Sequence, residues 1–192
     1  MFIELTDHLR CPREHDEAFL VLVPDRMQGR RVIAGRLGCP VCDWHTEWTE
    51  GVPDFGAAPA ASDNDTGLDA AGALALLGLD GPGGWVALAG GAGTLAADLA
   101  ALLPDVHLVA INPPATVLSE GAVSVIRSGV WPIKRHALRG VVVGADAADH
   151  AAAAIASVLP GLRAAGEGAL PVLGTGDEVV AEAPGLWVVR HR

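Results

Sequence analysis

Cysteine and histidine side chains are where this chain has the means to do chemistry. Its three cysteines, Cys11, Cys39 and Cys42, all fall in the first quarter of 192 residues. That is too few, and too uneven a spacing, for a disulfide framework, whereas clustered thiols point to a metal. Structural Zn²⁺ takes four Cys or His ligands in a tetrahedron, and a turn of the form Cys39-Pro40-Val41-Cys42 supplies two of them. Cys11-Pro12 opens a second knuckle and supplies the third. For the fourth, His15 is preferred, four residues after Cys11. Glu14 stands where a second cysteine would normally fall, His45 closely follows Cys42, and His8 is an outside candidate. A redox role for the Cys-x-x-Cys turn is disfavoured, because no helix pattern begins at Cys39.

Such a site needs two knuckles held face to face by strands. Apolar runs at residues 19–23 and 31–34 supply them, so residues 1–55 read as a zinc ribbon. A ribbon of that size buries too little apolar surface to fold robustly alone, and the metal would supply much of its folding free energy. Residues 56–66 begin with the small, polar GAAPAASDN and read as a linker. Residues 67–192 form the larger part. There the stretch WVALAGGAGTLAADLAALLPDVHLVAINPP spells strand, glycine turn, helix and strand, the opening unit of a Rossmann-like α/β domain. Thr94 is placed to cap a helix over residues 94–103. A preceding helix, capped by Asp65 or Thr66, is expected to end near Leu77. Further expectations are a strand over 138–143, a helix over 147–159 led by Asp146, a strand over 169–173, and a closing hairpin of 179–181 with 186–189. Ligands of such folds bind at the carboxyl ends of the strands.

Composition narrows the function. A formal net charge of -10 argues against a general affinity for nucleic acid phosphates. No uncharged apolar run reaches the length of a membrane-spanning helix. The N-terminus MFIELTDHLR carries charges where a secretory signal needs an apolar core, so a cytoplasmic protein is expected.

Two resemblances add to this reading. LTDHLRCP followed by GCPVCDWHTEWTEGVPDF resembles the zinc-ribbon family represented by the small activator subunit of tRNA and release-factor methyltransferases, down to the Glu50-Gly51-Val52-Pro53 ending. The order of elements in residues 67–192 resembles the class I S-adenosylmethionine-dependent methyltransferases. That resemblance implies the fold class, α/β with a Rossmann-like methyltransferase fold preceded by a small zinc ribbon. It also implies where S-adenosylmethionine would lie: along Gly91 and Gly93, with Asn112 at the ribose. The carboxylates which that family uses to hold the cofactor fall on Ala87, Ile111 and Ser128, none of them acidic. Each lost charge-assisted contact costs about 1.5 to 3 kcal/mol of binding.

No residue is assigned a catalytic role. Asp146, Asp149 and His150 follow the 138–143 strand, where they could form an acid/base set, and the reading preferred for them is caps and solvated first-turn acids. Arg127, Lys134, Arg135, His136 and Arg139 cluster without an intervening acid and could dock an acidic protein partner or RNA. The function favoured is a non-catalytic zinc-binding scaffold or accessory protein acting within a protein or RNA-protein complex. The alternative is an active S-adenosylmethionine-dependent methyltransferase acting on RNA or a translation protein.

Overall fold

The computed structural model describes residues 1–60 and 64–192; residues 61–63 of the expected linker lie outside the described residues. It is an α/β structure with two sheets. The smaller contains β1 (Val21–Gln28), β2 (Arg31–Gly38) and β3 (His45–Trp48), all antiparallel in that order. The larger is a mostly parallel sheet of seven strands. Its members are β4 (Trp85–Ala89), β5 (His107–Ile111), β6 (Val123–Ile126), β7 (Leu138–Val143), β8 (Val158–Glu167), β9 (Glu178–Ala183) and β10 (Leu186–Arg190). They lie in the order β6-β5-β4-β7-β8-β10-β9, and β10 runs antiparallel to both its neighbours, β8 and β9, while the other pairs are parallel. The order reverses between β4 and β7, which is compatible with a Rossmann-like fold and makes the ends of those two strands the ligand-binding crevice of such sheets.

Burial on both faces explains why the central strands read as unbroken apolar runs. Every residue of β4 is buried, with Val86 and Leu88 in one core and Trp85, Ala87 and Ala89 in the other. The first core is closed by α1 (Ala70–Leu77) and α2 (Ala96–Leu102). The second is shared by α3 (Ala151–Ala156) and the N-terminal segment. Leu5, Leu9 and Leu37 sit fully buried in the same cluster as Val109, Ile111 and Val141. Each such leucine contributes about 1.5–3 kcal/mol. Residues 112–122 join β5 to β6 through turns and bends, and the N-terminal segment lies against that end of the sheet. There Phe2 N–H donates to Ser124 Oγ, and Arg31 donates to the carbonyls of Gly121 and Val123. Leu9 bridges Ile133, and Asp54 bridges Arg127.

Several expectations from sequence need correction. The first helix is capped by Asp69, whose side chain accepts from Gly72 N–H at 2.6 Å, and not by Asp65 or Thr66. Thr94 does not cap a helix. It sits inside a 3-10 turn, Gly90–Leu95, and its hydroxyl donates back to the Gly91 carbonyl. Asp146 likewise lies in a 3-10 turn, Ala145–His150, and does not cap α3; its carboxylate accepts instead from Gly91 N–H. The helix expected to run to residue 159 stops at Ala156, because Val158 already pairs with Leu138 as the start of β8 and Pro160 cannot continue the turn. The strand expected over 169–173 lies earlier in the chain, as β8. There Gly166 gives the Trp187 ring its seat: a Cβ at Gly166 would stand 2.2 Å from the indole. The closing hairpin is β9 and β10, as expected.

Candidate metal centre

Two knuckles and one loop bring four ligands together. One ligand atom from each of Cys11, His15, Cys39 and Cys42 falls in a group whose members all lie within 4.8 Å of one another. Cys11 Sγ and Cys42 Sγ are 3.7 Å apart, and Cys39 Sγ lies 3.4 Å from His15 Nε2. Zn–S bonds of about 2.3 Å and Zn–N bonds of about 2.05 Å at tetrahedral angles would place these pairs about 3.8 Å and 3.6 Å apart. The donor set is therefore placed closely enough to bind a metal ion, and its chemistry is consistent with zinc. His15, the residue preferred from sequence, joins the cluster. Glu14 and His45 do not, His45 facing the Asp43 carbonyl from β3, and His8 is packed on Trp85 with ring centroids 5.7 Å apart.

The surroundings prepare the ligands. His15 Nδ1 lies 2.6 Å from the Asp16 carbonyl, so the ring donates there and leaves the Nε2 lone pair for a cation. Arg13 N–H donates to Cys11 Sγ at 3.5 Å and Val41 N–H to Cys39 Sγ at 3.4 Å. Without a cation, burial pushes the Cys11 thiol up to about 12. Burial acts on Cys39 as well, but hydrogen bonds from the amides of Val41 and Cys42 and from the thiols of Cys11 and Cys42 together outweigh it and hold that thiol down at about 7, well below Cys11. Sequence reasoning named the four ligands but not these amides or the Asp16 carbonyl. A signal existed, since the residue two beyond each knuckle cysteine is the donor in both cases.

At the carboxyl end of β4 the glycine turn is packed closely against the chain itself. A Cβ at Gly91 would lie 2.5 Å from the Asn64 carbonyl oxygen, and one at Gly93 would lie 2.5 Å from Pro113 Cβ. Asn112 is buried, with its amide donating to Ser128 O at 2.6 Å and accepting from Ser128 N–H at 2.8 Å. Asp146 Oδ1 accepts from Gly91 N–H at 2.9 Å. Pro59, Ala60, Gly90, Asn112, Asp146 and His150 are among the residues around a remaining cavity of about 300 Å³. Asp149 is exposed, and the His150 ring, beside Trp131, has its pKa lowered chiefly by burial.

The basic residues are mostly tied inward. Lys134 Nζ donates to the Asp7 carbonyl, and Arg139 caps the turn before β4 by donating to the carbonyls of Asp80, Gly81, Pro82 and Gly83. His136 faces His191. Arg127 joins its backbone to Pro53 and Phe55, and Arg135 is exposed. Among the described residues no helix is long and apolar enough to cross a membrane. Compared with models of protein families and with curated proteins, the chain matches none.

Proposed function

We propose that this protein is a non-catalytic accessory protein, in which a zinc ribbon is fused to a methyltransferase-like fold that does not use S-adenosylmethionine. The observation that carries the reading is the packing of Gly91 and Gly93 against the chain's own Asn64 and Pro113. Where a cofactor would need the glycine turn to face open space, backbone and a proline ring already stand. Asn112, the residue expected at the ribose, spends both ends of its amide on Ser128. With Ala87, Ile111 and Ser128 in place of acids, the residues present do not fit that cofactor.

Such a protein works through what it binds. The exposed edge strand β1, with Val21, Val23 and Met27 solvent-facing beside Phe19 and Val41, favours a protein partner over RNA. The inward ties of Lys134 and Arg139 point the same way. The cavity of about 300 Å³ beside Asp146 and His150 favours the second reading, an S-adenosylmethionine-dependent methyltransferase. Calorimetric titration with S-adenosylmethionine separates the two. No saturable heat is expected, and a dissociation constant in the low micromolar range would overturn the accessory reading.

A further inference from the structure

A second nitrogen-rich cluster lies on the large sheet, apart from the cysteines. His191 follows β10, and its position is fixed twice through the backbone: its N–H donates to Leu162 O and its carbonyl accepts from Gly161 N–H. Asp177 precedes β9 and is fixed by Gly174 N–H, which donates to its Oδ2 at 2.9 Å. The two side chains are only 8% and 5% exposed, and His191 Nδ1 lies 2.7 Å from Asp177 Oδ1. A carboxylate at that distance accepts a hydrogen bond from Nδ1–H, so Nε2 of His191 presents a lone pair. That lone pair faces His136 Nε2 at 3.1 Å.

His136 reaches this place at a cost. It sits on the turn before β7 with φ 52, a left-handed backbone that costs a non-glycine residue about 1–2 kcal/mol. Its ring is solvent-accessible, so an ion has a route in and water can complete the coordination shell. Two nitrogens at metal–nitrogen distances of about 2.1 Å and separated as these are subtend about 95° at a shared ion, an ordinary cis angle. Imidazole nitrogens suit zinc and its neighbours in the first transition row, and a carboxylate behind the distal nitrogen is the usual support of a metal-binding histidine.

We propose that His136 and His191 form a second metal site for a divalent ion of the zinc type, bound through their two Nε2 atoms, with Asp177 as the positioning residue of His191. Two protein ligands make it weaker and more exchangeable than the four-ligand cysteine site. It is independent of the accessory reading, since neither histidine touches the crevice or the cysteines.

The test is calorimetric titration of the full chain, already holding one equivalent of Zn²⁺ at the cysteines, with further Zn²⁺. One additional equivalent is expected. His136→Asn, which tolerates the left-handed backbone, should weaken that event at least about tenfold. Asp177→Asn should weaken it about ten- to a hundredfold. NMR of the imidazole protons should shift His136 and His191 together during the second event. The proposal is overturned if no second event occurs, or if the event persists unchanged in folded His136→Asn protein, which would place the ion elsewhere.

Discussion

Gly93→Ala asks whether the glycine turn is kept small by the protein or by a ligand. Gly93 lies in the 3-10 turn Gly90–Leu95, where alanine meets no backbone penalty. A glycine kept for a ligand's sake would therefore gain stability in the ligand-free protein, by about 0.4–1 kcal/mol, when replaced by alanine. The structure dictates the opposite. The new Cβ would lie 2.5 Å from Pro113 Cβ and 3.2 Å from Pro113 Cα, where carbon atoms normally keep about 3.5–4.0 Å. Pro113 has no rotamer with which to escape, and it follows Asn112, which is locked to Ser128. Overpacking of this kind costs about 1–3 kcal/mol, here near the upper end. After subtracting the alanine gain, a net loss of about 2 kcal/mol remains, or a fall in Tm of roughly 4–8 °C for a chain of this size. Urea denaturation at fixed zinc, followed by tryptophan fluorescence, reads the change. A Gly93→Ala protein as stable as wild type, or more so, would refute the claim that the glycine turn is packed closely against the chain itself.

Other expectations follow from the metal and the buried histidines. Cys39→Ser should abolish stoichiometric zinc binding, measured by elemental analysis. Because Cys39 belongs to the same core as Trp85, Val141 and Ala164, the variant should also destabilise the large sheet; an unchanged unfolding midpoint would contradict this. Stability should fall as pH drops below about 6.5. Burial lowers the pKa of His8, His107 and His150 from 6.5, so between their lowered values and 6.5 the unfolded chain binds more protons and acid favours it. At saturating zinc, His107→Gln should flatten the difference in urea midpoint between pH 5 and pH 7; an identical difference would show that His107 does not contribute.

What could be read from the sequence was whatever depends on spacing or on unbroken apolar runs. The ligand turn at Cys39 and Cys42 and the central strands β4, β5 and β7 are of this kind. The Ala-rich stretch after Asp146 read as a helix, as alanine favours, but its ends did not: residues 145–150 form a 3-10 turn and α3 covers only Ala151–Ala156. The end of α3 was decided by the pairing of Val158 with Leu138 and by Pro160. The 169–173 run is apolar yet lies outside the sheet, with Val172 88% exposed, while the plainer 158–167 run holds the place beside β7. The glycines were legible only in part. Their spacing matches a ligand turn, but only three-dimensional contact reveals that the close approach is made by Asn64 and Pro113.

The N-terminal segment has its partners far along the chain. Leu9 pairs with Ile133, Arg10 N–H donates to Pro132 O, and Lys134 N–H donates to His8 O. Phe2 waits for Ser124, and Phe55 for Arg127. During synthesis the ribosome therefore releases the ribbon well before the strands it rests on exist. Closing loops of more than a hundred residues is slow in any chain, and apolar surface exposed meanwhile invites aggregation. A metal ion captured early by Cys11, His15, Cys39 and Cys42 would hold the nascent N-terminal segment in shape through that interval, so metal supply would govern the yield of folded protein as well as its final stability.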